Sequence, residues 1–179
     1  MQKFLEELRN KGYSPGTYNN YLKALKQFGS FLGFELNFRY MREIPTKRVW
    51  LPTDEQIKKA AKALKDPLMK AIFLLYATTG LRKSELLELK KSDVLWEYRA
   101  ILSKHNTPTK KAGITFFNEE AEYWLKIALK EIPNNTEKLL PISDRQFRKI
   151  WRIASKAAGV KITPQILRIW HAVKLRSLG

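Results

Sequence analysis

The sequence predicts a mainly α-helical fold with one small antiparallel β-sheet, formed as a hairpin or as three strands. Three observations carry this prediction. Apolar residues recur at three- and four-residue spacing through most of the chain. Runs of β-branched and aromatic residues are confined to 94–103 and 114–117, and capping residues or Gly separate the periodic segments. With 179 residues, the chain has room for one domain and a small appendage.

Residues 1–34 are expected to form a segment of two helices. Gly12 ends the first, and Ser14-Pro15 supplies an N-cap and a first-turn proline for the second. Helical spacing in the second predicts a buried face made of Tyr18, Tyr21, Leu22, Leu25, Phe28 and Leu32. Residues 35–50, which hold a proline and several bases, are interpreted as a basic linker to a second domain over 51–179.

The second domain is expected to open with a capping box, in which Thr53 precedes Gln56 by three residues. A helix to about Lys65 follows, and Asp66-Pro67 then starts an almost wholly apolar helix that should be buried. Gly80 ends that helix. The remaining predicted elements are a short helix in SELLELK, strands over Val94–Ser103 and Ile114–Phe117, and helices over Glu119–Ile132, Ser143–Ala158 and Pro164–Leu178.

The charge balance favours a polyanionic partner. Lys and Arg number 34 against 17 Asp and Glu, which gives a formal net charge of +17. The bases are spread along the chain, as expected of a folded surface that contacts nucleic acid. A Lys-rich surface of a protein from a hot environment is the alternative, but such surfaces are also rich in Glu. Nucleic acid is therefore the favoured partner.

Composition also excludes several classes of site. The chain has no cysteine, which rules out disulfides, zinc knuckles and cysteine nucleophiles, and it has only two histidines. We expect neither a metal nor another cofactor. The N-terminus resembles no signal or transit peptide, and no apolar stretch reaches the about 18 residues of a membrane span. A cytoplasmic, nucleoid-associated protein without a membrane partner is predicted.

Four segments, in order along the chain, resemble the tyrosine recombinase (phage integrase) family. They read KGYSPGTYNNYLKALKQFGSFLG, LPTDEQIKKA, LLYATTGLRKSELLELKKSDV and FRKIWRIASKAAGVKITPQILR. The resemblance covers nearly the whole chain. It implies a core-binding helical segment over 1–34 and a recombinase catalytic domain over 51–179. It also implies that DNA strands are cut and rejoined through a 3′-phosphotyrosine, without a metal or ATP. The implied partners are double-stranded DNA and other recombinase subunits bound to it. A viral or mobile-element origin is compatible with the resemblance.

The resemblance assigns two arginines to the scissile phosphate. Arg82 follows Gly80, where its planar guanidinium suits two oxygens of one phosphate, and Glu85, three residues on, could hold it in place. Without the surrounding motif, a plain surface pair would be the simpler interpretation. Arg168 is the second arginine by resemblance, in the first turns of the last helix.

A lysine on the β-hairpin serves the family as the general acid toward the leaving 5′ oxygen. Lys104, where the first strand meets the loop, is our first candidate. Lys110 and Lys111, at the turn, are the alternatives.

The chain also departs from the family pattern. Gln165 stands three residues before Arg168, where His or Lys is usual, and Gln does not shuttle a proton at neutral pH. Ile169 stands where the family often has His. The ending KLRSLG is interpreted as a chain cut within the domain, so that the C-terminal part is incomplete.

No tyrosine matches the family's nucleophile, because all seven precede Arg168. Tyr76 and Tyr123 are interpreted as core residues, and His171 as a helix-packing or surface residue. The chain alone is therefore expected to be inactive in cleavage and monomeric in free solution. A non-catalytic DNA-binding protein that occupies or regulates a recombination site is the alternative, and an RNA-binding module is a third, weaker one.

Overall fold

The computed structural model describes residues 2–42, 50–102 and 113–178, and the chain divides into two compact units, Met1–Arg48 and Val49–Gly179. The first unit contains α1 (Gln2–Asn10) and α2 (Pro15–Phe31). The second contains α3 (Asp54–Ala63), α4 (Pro67–Thr79), α5 (Lys83–Leu87), β1 (Val94–Leu95), β2 (Ala100–Leu102), β3 (Ile114–Phe116), α6 (Glu119–Glu131), α7 (Asp144–Ala158) and α8 (Pro164–Leu178).

The first unit has a small core, formed by Leu5, Leu8, Tyr18 and Leu22. As predicted, Ser14 caps α2 by accepting a hydrogen bond from the Thr17 N–H at 3.3 Å. The expected continuous buried face of α2 is wrong, however. On the predicted face, Tyr18 and Leu22 are buried with Leu5 and Leu8 of α1, whereas Tyr21, Phe28 and Leu32 are exposed because they lie outside this small core.

Residues 35–42, the described part of the predicted linker, fold back on α2. The Asn19 amide donates to the Met41 carbonyl at 2.8 Å and its oxygen accepts from the Met41 N–H at 2.7 Å. Phe38 and Met41 also pack on the small core.

The second unit is built around α4. The residues from Ala71 through Ala77 are all buried, as the apolar sequence predicts, and α4 packs against α6, α7 and α8 while α3 packs against α7. The capping box that opens α3 is confirmed: the Gln56 N–H donates to Thr53 Oγ1 at 3.3 Å and the Thr53 N–H to Gln56 Oε1 at 2.9 Å.

A three-stranded antiparallel sheet, in the order β1-β2-β3, forms the β part of the fold. Of the two predicted forms, a hairpin or three strands, the structure has the three-stranded one, because a short 3-10 turn at Trp96–Tyr98 divides the β-rich region that begins at Val94. Arg99 has a φ of 48°, in the left-handed region, and this reverses the chain so that β2 pairs with β1. Local composition favours strand at these positions but cannot specify the reversal.

The interpretation of Tyr123 as a core residue is wrong, because the residue is exposed. Its ring is 60% exposed and makes an edge contact with Trp124, while α6 buries Ala121, Leu125 and Ala128. The apolar stripe of this amphipathic helix is broad in the sequence, and Tyr123 lies at its edge rather than on the buried side.

Candidate phosphate-binding site

The end of α4 positions the first arginine. Gly80 adopts a left-handed backbone with φ 62°, and its N–H donates to the Tyr76 carbonyl at 3.3 Å. Glycine suits this conformation because it has no Cβ. Leu81 is then buried, and Arg82 stands at the N-cap of α5 with its side chain 41% exposed. The turn thus brings a guanidinium from the core to the surface.

Glu85 holds Arg82 through both of its carboxylate oxygens. The Arg82 N–H donates to Oε2 at 2.6 Å, and Nη1 of Arg82 donates to Oε1 at 2.7 Å. Burial by itself would raise the pKa of Glu85, but these two hydrogen bonds and the charges of Arg82 and Arg168 hold it below its ordinary value. Glu85 is therefore a carboxylate at neutral pH and fixes the orientation of the guanidinium.

Arg168 lies in the first turns of α8, which begins at Pro164 with Thr163 Oγ1 accepting from the Ile166 N–H at 3.2 Å. Its side chain is half-buried, and its positive charge acts on the Glu85 carboxylate. Glu85 is therefore bonded directly to Arg82 and also lies within the electrostatic influence of Arg168, from a distant part of the sequence.

Gln165 is exposed one turn before Arg168. Both line a shallow depression on α8, whose other lining residues are Ile169, Ala172, Val173 and Arg176. The amide of Gln165 can donate a hydrogen bond at this surface but cannot exchange a proton there at neutral pH. The three hairpin candidates, Lys104, Lys110 and Lys111, lie outside the described residues.

His171 packs against α4. Its Nδ1 lies 3.1 Å from the carbonyl oxygen of Ala77, which can only accept, so Nδ1 carries the proton. Burial lowers the pKa of His171, against the smaller opposing effect of this hydrogen bond, and the ring is neutral at neutral pH. The expectation of a helix-packing histidine, rather than one in the site, agrees with these contacts.

Tyr76 does not have the surroundings of a nucleophile. Its side chain is 1% exposed, and it contacts the rings of Phe147 and Trp151. Burial, and secondarily the charge of Glu85, raises the pKa of its hydroxyl far above the ordinary value. A phenolate at this position is disfavoured, which leaves Tyr76 as a core residue, as the sequence predicts.

The exposed face of α7 is a basic surface that sequence reasoning missed. Four bases at helical spacing line an open groove together with Asp144 and Gln146; they are Arg145, Arg148, Lys149 and Arg152. The opposite face of α7 buries Phe147, Ile150 and Trp151 in the core. The sequence does contain a signal for it, because bases spaced by three and four residues alternate with the apolar stripe, and this pattern indicates a basic helix face.

No group of three or more His, Cys, Asp or Glu side chains suited to a metal ion occurs within 2–42, 50–102 and 113–178. Within the same ranges, no helix is long and apolar enough to cross a bilayer.

Comparison with known proteins decides the family. The sequence model of the phage integrase family matches residues 52–179. The chain belongs to this family of tyrosine recombinases. Tyrosine recombinase XerA of Thermococcus onnurineus is 30% identical in an alignment that covers 99% of this chain and 67% of XerA. For XerA of Pyrococcus furiosus the identity is 31%, with 99% and 66% covered. The chain thus spans about two thirds of the length of these relatives.

Solved tyrosine recombinases share the fold. The crystal structure of XerA recombinase matches with a TM-score of 0.63 and 25% identity over 99% of this chain and 68% of that one. The Tn1549 transposon integrase in complex with circular intermediate DNA matches with a TM-score of 0.73 and 19% identity over 99% and 71%. The predicted fold class, mainly α with a small antiparallel sheet and similar to a tyrosine recombinase catalytic domain, is confirmed.

Proposed function

We propose that this chain binds double-stranded DNA and clamps one backbone phosphate between Arg82 and Arg168, as part of a recombinase that cuts and rejoins DNA through a 3′-phosphotyrosine. The oriented pairing of Arg82 with Glu85 carries the proposal, and it is supported by the half-buried Arg168 in the first turns of α8, whose charge acts on the same carboxylate. Glu85 is the counterion of Arg82 when no phosphate is bound. In the proposed complex, a phosphate with two non-bridging oxygens meets the oriented guanidinium of Arg82, and Arg168 supplies the second planar donor.

The basic face of α7 supports a duplex as the ligand. Its four bases are exposed along one side of a single helix, and the chain carries a net charge of +17. Contacts of this kind supply affinity and position, whereas the two arginines act on a single phosphate. XerH, a structural neighbour with a TM-score of 0.69 over 59% of its own chain, was solved bound to its difH substrate.

In the proposed reaction, a tyrosine oxygen attacks phosphorus, and the proton of its hydroxyl is released to solvent. The bond from phosphorus to the 5′ oxygen breaks as the bond to tyrosine forms, and the 5′ oxygen leaves with a proton from a lysine. We propose Lys104 for this general acid, with Lys110 and Lys111 as alternatives. Arg82 and Arg168 stabilise the extra negative charge of the five-coordinate transition state, where preorganised donors are most effective. Gln165 contributes a hydrogen-bond donor at the same surface.

None of the seven tyrosines in this sequence resembles the nucleophile of the family, so we propose that the nucleophile comes from a further segment or from another subunit. Other recombinase subunits on the same DNA are the proposed partners. An origin from a virus or another mobile element is compatible with this function.

Covalent capture tests the proposal. The chain is joined to a segment carrying a nucleophilic tyrosine and incubated with a nicked suicide duplex whose sequence is selected by binding. We expect a protein–DNA complex that survives denaturation, and none when that tyrosine is replaced by Phe. Tight duplex binding without any covalent product would instead favour a non-catalytic protein that occupies or regulates a recombination site.

A further inference from the structure

Two side chains hold the last turn of α4 to the elements that carry the proposed chemistry. Helix-terminal carbonyls lack intrahelical partners and must be satisfied from elsewhere. In α4, the Ala77 carbonyl accepts from His171 Nδ1 at 3.1 Å and the Thr79 carbonyl accepts from Thr115 Oγ1 at 2.8 Å. Arg82 comes only three residues after Thr79, so both contacts adjoin the turn that presents it.

His171 joins α8 to this turn. It stands one turn after Arg168 on the same helix, and its ring lies against Gly80, so closely that a Cβ on Gly80 would be 2.5 Å from Cδ2 of His171. Leu81 cannot replace it as the donor to Ala77, because the Leu81 N–H is directed to Thr79 Oγ1 at 3.4 Å. The contact therefore sets how α8, and with it Arg168, lies against the end of α4.

Thr115 joins the sheet to the same turn. It is the middle residue of β3, where it pairs with Ile101 of β2, and its hydroxyl is part-buried. The segment with the three lysine candidates connects β2 to β3. A bond from β3 to the Thr79 carbonyl therefore fixes this strand relative to the turn that presents Arg82.

We propose that His171 and Thr115 are positioning residues, which use the Ala77 and Thr79 carbonyls at the end of α4 to place Arg168 and strand β3, respectively, relative to Arg82. The expected effect of these two residues on catalysis rests on the proposed function, whereas their effect on the position of Arg168 and β3 does not. Misplacement of a catalytic group by about 1 Å can cost about 100-fold in rate.

The first test uses this chain alone. Nitrogen NMR of the two histidines should show His171 protonated at Nδ1. The pKa of Glu85, which is lowered by Arg82 and by the charge of Arg168, reports on the position of Arg168. Arg168→Gln should raise that pKa and so set the reference. We expect His171→Phe to raise the pKa of Glu85 by a similar amount. His171→Asn keeps a hydrogen-bond donor and should change this pKa little, and Thr115→Val should not change it. An unchanged Glu85 pKa in a folded His171→Phe variant would overturn the role of His171.

The second test uses the tyrosine-bearing protein with two suicide substrates, one with an ordinary 5′ oxygen and one with a 5′-bridging sulfur that leaves without a proton. His171→Phe should slow covalent capture of both, by about 100-fold. Thr115→Val should slow only the oxygen substrate, and Thr115→Ser and His171→Asn should restore the rate. Duplex affinity should stay within about 2-fold throughout.

The two tests distinguish a failure of the proposed function from a failure of the positioning roles of His171 and Thr115. Equal slowing of both substrates by Thr115→Val, or a loss of duplex affinity in parallel with rate, would overturn the role of Thr115. If the parent forms no covalent product, the proposed function fails, while the Glu85 measurement still decides whether His171 places Arg168. The role of the Thr115 hydroxyl in anchoring β3 can then be tested by hydrogen exchange. Thr115→Val should speed amide exchange in β2 and β3, and Thr115→Ser should not.

Discussion

Glu85 binds Arg82 at both its backbone and its side chain, with N···O distances of 2.6 and 2.7 Å. The side-chain contact uses only one of the five N–H donors of the guanidinium. The carboxylate is 14% exposed, whereas the Arg82 side chain is 41% exposed. Glu85 therefore acts from the protein side and leaves the outer edge of the guanidinium facing solvent, where a phosphate can approach.

Glu85→Gln should destabilise the protein at neutral pH by about 1 kcal/mol, the difference between charged and neutral hydrogen bonds. The folded-state pKa of Glu85 is lowered, so its stabilisation is fully present above the unfolded pKa and is lost as the pH falls through the folded one. Urea unfolding of parent and variant from pH 7 to about pH 3 measures this. The gap in unfolding free energy should close in acid, and a gap that persists there would contradict the ionic role of Glu85.

Gly80→Ala should destabilise the fold more than Gly159→Ala. Both glycines are left-handed helix ends, with φ of 62° and 70°, so each substitution costs about 1–2 kcal/mol in backbone strain. Nothing lies within 4 Å of the position that a methyl group would take on Gly159, whereas a methyl group on Gly80 would collide with His171. The collision should add at least about 1 kcal/mol.

Thermal or urea unfolding of Gly80→Ala, Gly159→Ala, His171→Ala and the double variant Gly80→Ala/His171→Ala measures the excess. Compared with His171→Ala alone, the double variant should lack the cost of the collision and keep only the backbone strain of Gly80→Ala. Equal destabilisation by Gly80→Ala and Gly159→Ala would show that His171 does not lie against this turn.

The site divides into parts that the sequence could and could not predict. Arg82 and Glu85 are three residues apart at the start of a short helix, so local geometry alone predicts their pairing. The approach of Arg168 to Glu85 and of His171 to Ala77 joins positions more than 80 residues apart, and it depends on how α8 packs against α4. Periodicity predicts that each helix has a buried face but does not give its neighbour.

Duplex binding should fall steeply with salt. Each neutralised phosphate contributes a slope of about 0.9 decade of affinity per decade of salt, and we expect at least about six contacts from the charge excess. Fluorescence anisotropy with a labelled duplex at several salt concentrations gives the slope. A slope near zero would contradict a nucleic-acid partner.

The basic face of α7 should supply a defined part of that slope. Replacing Arg152 with Ala should lower it by about 0.9, because one phosphate contact is lost. Lys130→Ala is the matched control, since Lys130 is an exposed base on α6, outside the groove. Equal losses of affinity in both proteins would mean that the charge acts without regard to position.

The central claim is that Arg82 and Arg168 hold one reacting phosphate, and covalent capture in the tyrosine-bearing protein tests it most directly. Arg176→Ala is the control, because Arg176 is an exposed base on α8 that lines the same depression as Arg168. We expect Arg82→Ala and Arg168→Ala each to reduce the rate of capture by at least about 100-fold, while duplex affinity changes little and Arg176→Ala keeps the parent rate. Covalent complex formation at the parent rate by the Arg82→Ala protein would contradict the account.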